Sequence, residues 1–112
     1  MPDEQPQIAD NVERNRYEIV IGDHVAYLDY RRRERFIVLV HTEVPEALRE
    51  RGLGGKLARH ALDAARTAGV EVVVKCPFVT TWLKRHREYD DIVVARIAED
   101  ARNSGQPPTE PR

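Results

Sequence analysis

Tyr17-Glu18-Ile19-Val20-Ile21 and the stretch from His24 to Tyr30 alternate in part between apolar and polar positions, with Gly22-Asp23 between them. Two half-buried strands joined at a glycine turn make a hairpin. Phe36-Ile37-Val38-Leu39-Val40 is apolar at every position, which predicts a central strand covered on both faces. Before it, Arg31-Arg32-Arg33-Glu34-Arg35 is too charged for a core and reads as a solvated turn, with a ligand phosphate as the alternative partner. From Leu53 the period changes. Leu57, Ala61, Leu62, Ala65 and Ala68 recur at helical spacing, and Lys56, Arg59, His60, Asp63 and Arg66 share the other side. Gly69 stops that helix, and Val70-Glu71-Val72-Val73-Val74 is β-branched enough for a buried strand. Pro77 suits the first position of a second helix, Phe78 to about Arg87, with Phe78, Trp82 and Leu83 turned toward the sheet. Ile92 to Ile97 reads as a last short strand, with a helical tail as the alternative.

Strand, helix, strand is a crossover unit, so 36–44 and 70–75 are expected to run parallel, side by side, with a right-handed connection. The fold class is α/β in the wider sense (α+β): a mixed sheet with an antiparallel meander, one crossover and a second helix. The 112 residues suit one domain, expected over 13–100. Residues 1–12, with two prolines and little apolar matter, are expected to be flexible, and 101–112, with three prolines, disordered.

Charge and composition then remove several function classes. With 18 basic and 19 acidic side chains the net charge is -1, which argues against a nucleic-acid partner. The single cysteine excludes an internal disulfide and a cysteine-rich zinc site, and no histidine and carboxylate spacing suggests another metal. No apolar run approaches the ~20 residues of a membrane helix. The acidic, proline-bearing start lacks a secretion leader, so the expected location is cytoplasmic.

Of the six glycines, Gly52, Gly54 and Gly55 fall within four positions at the mouth of the long helix. A first helical turn has free N–H groups with the helix dipole behind them, and glycines let a phosphate approach the backbone. The competing reading is a tight turn with close helix packing. A Walker A loop is excluded by Glu50 and Leu57, which stand where it requires glycine and Ser or Thr. A dinucleotide fingerprint is excluded because its third glycine would fall at Leu57.

The hexad Arg49-Glu50-Arg51-Gly52-Leu53-Gly54, following Val44-Pro45, resembles the acetyl-coenzyme A loop of the GNAT N-acetyltransferase superfamily. His41-Thr42-Glu43-Val44-Pro45 before it and Cys76-Pro77-Phe78-Val79 after the next strand are similar to the very small GNAT-like family, over roughly residues 17 to 91. The resemblance implies a compact minimal GNAT-like fold. It also implies an acetyl-coenzyme A dependent N-acetyltransferase whose amides from Arg51 to Lys56 (Arg51, Gly52, Leu53, Gly54, Gly55, Lys56), with Arg49, hold the pyrophosphate. Thr42 to Val44 would offer backbone hydrogen bonds to the pantetheine arm. Glu50, where a glycine is usual, and one extra residue after Pro45 depart from the commoner loop.

Cys76 closes the strand parallel to 36–44, so it shares the sheet edge with the glycine loop, where open α/β sheets place ligands. Lys75 and the following helix both favour its thiolate. The resemblance likewise implies a cysteine near the thioester, either carrying the acetyl group or only neighbouring it; the alternative is a small buried hydrophobe. His86, ten residues along the expected second helix, would lie about 15 Å from it, as a surface histidine. His41 and Glu43 share a strand face near the crevice and are the candidates for receiving the amine proton, or a polar strand end. The acceptor is an amine of open identity, with protein lysines and N-termini among the choices. An acyl-coenzyme A binding module or regulator without efficient chemistry is the alternative function.

Overall fold

The computed structural model describes residues 7–96. The expected C-terminal tail, 101–112, and the end of the expected domain, 97–100, lie outside the described residues. Six strands form one sheet in chain order: β1 (Ile8–Asn11), β2 (Arg16–Ile21), β3 (His24–Arg32), β4 (Phe36–Glu43), β5 (Glu71–Val74) and β6 (Val93–Arg96). The first four are antiparallel, and β4, β5 and β6 run parallel. Helix α1 (Leu53–Ala68) makes the crossover from β4 to β5, and α2 (Pro77–Leu83) with a 3₁₀ turn at Arg87–Tyr89 leads to β6. The expected hairpin, crossover and last strand are all present in this α+β fold.

Three features differ from the expectation. Residues 8–11 pair with β2 although they fall in the segment expected to be flexible. Their anchor is long-range: the Tyr30 hydroxyl donates to Asp10, and the Arg32 guanidinium reaches the same carboxylate at 3.2 Å. Burial, with that bond to Asp10, holds the Tyr30 hydroxyl pKa above its ordinary value. Helix α2 stops at Leu83, short of Arg87, because Lys84-Arg85-His86 offers no apolar side to bury.

The third difference concerns β4. Ile19, Leu28, Leu39 and Val74 are fully buried on one sheet face, under Leu57 and Leu62 of α1 and Val79 and Leu83 of α2. Both helices pack on this face and on each other. The opposite face carries no helix among the described residues, and there Phe36, Val38 and Val40 are half-buried. β4 is thus covered on one face only. Its apolar run reflects a core on one side and a belt of mutually shielding side chains on the other.

Candidate active site

The parallel ladder between β4 and β5 ends at Leu39 and Val74, closed by a bond from the Lys75 N–H to the Leu39 carbonyl at 2.9 Å. β4 runs on through Val40–Glu43 against β3 alone, so the two strands part. Among the described residues, the backbone groups on the β5 side of this extension have no strand partner, and they can bond an extended, amide-bearing ligand. At the parting point β4 carries one extra residue: Tyr30 pairs with Leu39 but Asp29 with His41, leaving Val40 over. Such a bulge shifts the alternation of every later side chain. Thr42, opposite Leu28, therefore turns to the helix side, and His41 and Glu43, opposite Asp29 and Tyr27, turn to the open face.

From Glu43 the chain passes Pro45 into a 3₁₀ helix, Glu46–Arg51, whose Leu48 is buried. Gly52, at φ 71°, ends that turn and starts α1, in a left-handed conformation that other residues rarely adopt. No side chain caps α1, and its first turn holds no acidic residue. The Lys56 N–H reaches the Gly52 carbonyl at 3.2 Å, so the amides before it remain available to an anion. Arg49 Nε bonds the Val44 carbonyl at 3.0 Å and ties this loop to the strand end.

A cleft of about 330 Å³ lies between these elements, lined by Thr42, Glu43, Val44, Arg49, Gly52, Leu53, Gly54, Gly55 and Phe78. It brings together the strand-end and loop positions singled out from the sequence. Arg51 and Lys56 stand exposed outside its wall. Phe78 is the wall residue that sequence reasoning missed: it was expected to face the sheet, but is 44% exposed over Gly54.

Gly54 and Gly55 have a packing role as well. A Cβ on Gly54 would stand 2.8 Å from Phe78 Cζ, and one on Gly55 would stand 2.9 Å from Trp82 Nε1. Both glycines let the aromatic side of α2 close on the first turn of α1, which builds the cleft wall.

Cys76 is 1% exposed, and its sulfur lies 3.1 Å from Thr42 Oγ1. The thiol is beside the cleft, behind Thr42, and is not part of its lining. On the open face His41 Nε2 and Glu43 Oε1 are 3.1 Å apart, both about half exposed. His86 is half-buried, not a free surface histidine: its ring stacks on Trp82 at 3.7 Å, and its Nδ1 lies 2.9 Å from the Trp82 carbonyl.

Residues 16–92 match the model of the GCN5-related N-acetyl-transferase family. The chain belongs to this family. It is accordingly an acyltransferase of the N-acetyltransferase class. The fold is similar to the solution structure of a GCN5-like candidate N-acetyltransferase from Staphylococcus aureus, with a TM-score of 0.65 and 23% identity over 85% of this chain and 92% of that one. No match to a curated protein was found. In this N-acetyltransferase no helix among the described residues is long and apolar enough to cross a membrane.

Proposed function

We propose that this acyltransferase moves an acetyl group from acetyl-coenzyme A to an amine. The observation that carries the reading is the cleft itself, where an uncapped helix start and an unpaired strand edge meet. The donor set fits the coenzyme. The amides of Leu53, Gly54 and Gly55 suit a pyrophosphate, with Arg51 and Lys56 outside to steer it. The edge of Thr42–Val44, where no strand pairs on the β5 side and only the Val44 carbonyl is engaged, by Arg49, suits the amides of a pantetheine arm.

Bound acetyl-coenzyme A supplies an acyl group and a thiol leaving group. The amine N–C bond forms as the C–S bond breaks, and the sulfur takes one of the two protons an ammonium gives up. His41 takes the other, and Glu43, 3.1 Å away, stabilises the charge it gains before the proton passes to water. The amine approaches from the open sheet face, where both side chains stand. Cys76 keeps its thiol against Thr42, and its burial supports direct transfer over an acetyl-cysteine.

Calorimetry of acetyl-coenzyme A with the whole chain, followed by thiol release with a panel of amines, tests the proposal. Binding with turnover is the expected result, and absence of binding would reject it. The half-exposed site favours one second reading, a coenzyme-binding module. Equal affinity for free and acetylated coenzyme, with no amine acetylated, would select that reading.

A further inference from the structure

The helix-free face of the sheet holds a second cleft, of about 170 Å³, lined by Arg14, Asn15, Asp29, Tyr30, Arg31 and Val40. Leu28 and Tyr30 are buried toward the helices, so the alternation of β3 sets Asp29 and Arg31 on this face. Asp29 stands directly opposite Arg16 of β2, a placement in which opposite charges ordinarily pair. Arg16 is instead held by Glu18 at 2.7 Å, with its guanidinium 4.2 Å from the Tyr27 ring centre. Arg31 stands opposite the apolar Val38. Arg14 enters from the β1 to β2 turn, which a bond from the Tyr30 N–H to the Asn15 carbonyl, 2.9 Å long, fixes over β3. Among the described residues, the side chains of Asp29 and Arg31 make no hydrogen bond or ion pair, and that of Arg14 acts on Glu18 only through its charge, although all three line one cleft.

The polarity of this cleft is aligned with the transfer site. Asp29 is level with His41 across the ladder, and Val40, the bulged residue where β4 leaves β5, forms part of the wall. The carboxylate end is thus beside the proton acceptor, about one strand spacing, ~4.8 Å, from the gap that admits the acyl group. The arginine end lies two residues farther back along β3, roughly 7 Å away.

We propose that this cleft seats the acceptor, and that the acceptor is a zwitterion of amino-acid size. Its ammonium lies at Asp29 next to His41, and its carboxylate at Arg31 and Arg14. This rests on the transfer reading above and names its substrate class. The volume is below the ~300 Å³ at which sites for drug-sized ligands begin, which suits so small a molecule. A guest of matching polarity gains charge-assisted hydrogen bonds at both ends. A polyamine would meet two arginines, and a plain carboxylate would meet Asp29.

The test uses the whole chain, acetyl-coenzyme A and two panels: the twenty common free amino acids, and the amines that correspond to them without the carboxylate. Coenzyme binding is followed by calorimetry, acceptor binding by amide chemical shifts, and turnover by thiol release. At least one amino acid is expected to shift the resonances around Asp29, Arg31 and Val40, and to be acetylated about tenfold or more faster than its amine, the size of one hydrogen bond to a charged group. Arg31→Met should bring that ratio close to one while leaving acetyl-coenzyme A affinity unchanged, and Asp29→Asn should weaken binding of the same amino acid. If acetyl-coenzyme A binds and amines without a carboxylate are acetylated equally well, or Arg31→Met keeps the preference, this proposal is overturned and the transfer reading stands. If acetyl-coenzyme A does not bind, both fall.

Discussion

Thr42 Oγ1, near the end of β4, and Cys76 Sγ, two residues past the end of β5, lie 3.1 Å apart across the floor of the gap where the two strands have parted. The pair exists because the bulge at Val40 turns Thr42 toward the helices, and Cys76 caps α2 on that same side. A thiol that is 1% exposed and hydrogen-bonded is a poor nucleophile toward a ligand on the far side of Thr42. Cys76→Ala should therefore cost about 1–2 kcal/mol of stability through the lost sulfur packing, and change the rate of acyl transfer by no more than a few fold. Intact-mass spectrometry of wild type with acetyl-coenzyme A should show no acetyl group on Cys76. Loss of transfer by orders of magnitude in the variant, with coenzyme affinity kept, would establish the covalent route.

Gly54 and Gly55 should respond differently to the same added methyl group. At Gly55 the obstacle is Trp82, whose ring is stacked under His86 at 3.7 Å with Arg59 5.3 Å from its centre, so it cannot swing away. Overpacking costs about 1–3 kcal/mol, against a gain in helix propensity of about 1 kcal/mol at most, so Gly55→Ala should lower the melting temperature. At Gly54 the obstacle is the outer end of the Phe78 ring, which is 44% exposed and free to turn. Gly54→Ala should therefore leave stability nearly unchanged but move Phe78 over the cleft and weaken coenzyme binding. Equal thermal effects at the two positions would contradict this account.

Much of this was readable along the chain, and what was not has one cause. The hairpin, the crossover and the loop-helix junction rest on local period and turn residues, so alternation at Tyr17–Ile21 and the spacing of Leu57, Ala61 and Leu62 disclosed them. That His41 and Glu43 share a face followed from alternation too. Which face it is depends on the bulge at Val40, inside an apolar run that gives no local sign of it. β1 was missed because its docking depends on Asp10 meeting Tyr30 and Arg32, some twenty residues away in sequence, and not on any pattern in Ile8–Asn11. The two readings of Gly54 and Gly55 stayed open for the same reason, since only the placement of α2 brings Phe78 and Trp82 onto them.

Arg51 and Lys56 stand exposed before and after the free amides of α1 in sequence, and their side chains have no hydrogen-bond partner among the described residues. If they steer a pyrophosphate, reversing both charges with Arg51→Glu and Lys56→Glu should weaken acetyl-coenzyme A binding about tenfold or more. The wild-type affinity should fall with added salt, and that of the double variant should not. Stability should stay within about 0.5 kcal/mol, because neither side chain is buried. Calorimetry at two salt concentrations decides it: an unchanged affinity in the double variant would move the phosphates elsewhere.

Tyr30 carries the anchor of β1, and its titration should be visible in stability. Burial first, and the bond to Asp10 second, raise its folded-state pKa above the ordinary tyrosine value. The sign follows directly. Below pH ~10 both folded and unfolded tyrosine are protonated, and the full contribution is present. As the pH rises past that value the unfolded chain ionises first, so stability falls until the folded pKa is passed. Tyr30→Phe should cost about 1 kcal/mol at pH 7, for the lost hydrogen bond, and should make the alkaline decline shallower. Tyr17 and Tyr89, whose pKa values burial also raises, should sustain the rest of the decline. Urea unfolding of both proteins at pH 7 and near pH 11 measures the difference. An identical alkaline slope in the variant would mean that the Tyr30 hydroxyl does not hold β1 to the sheet.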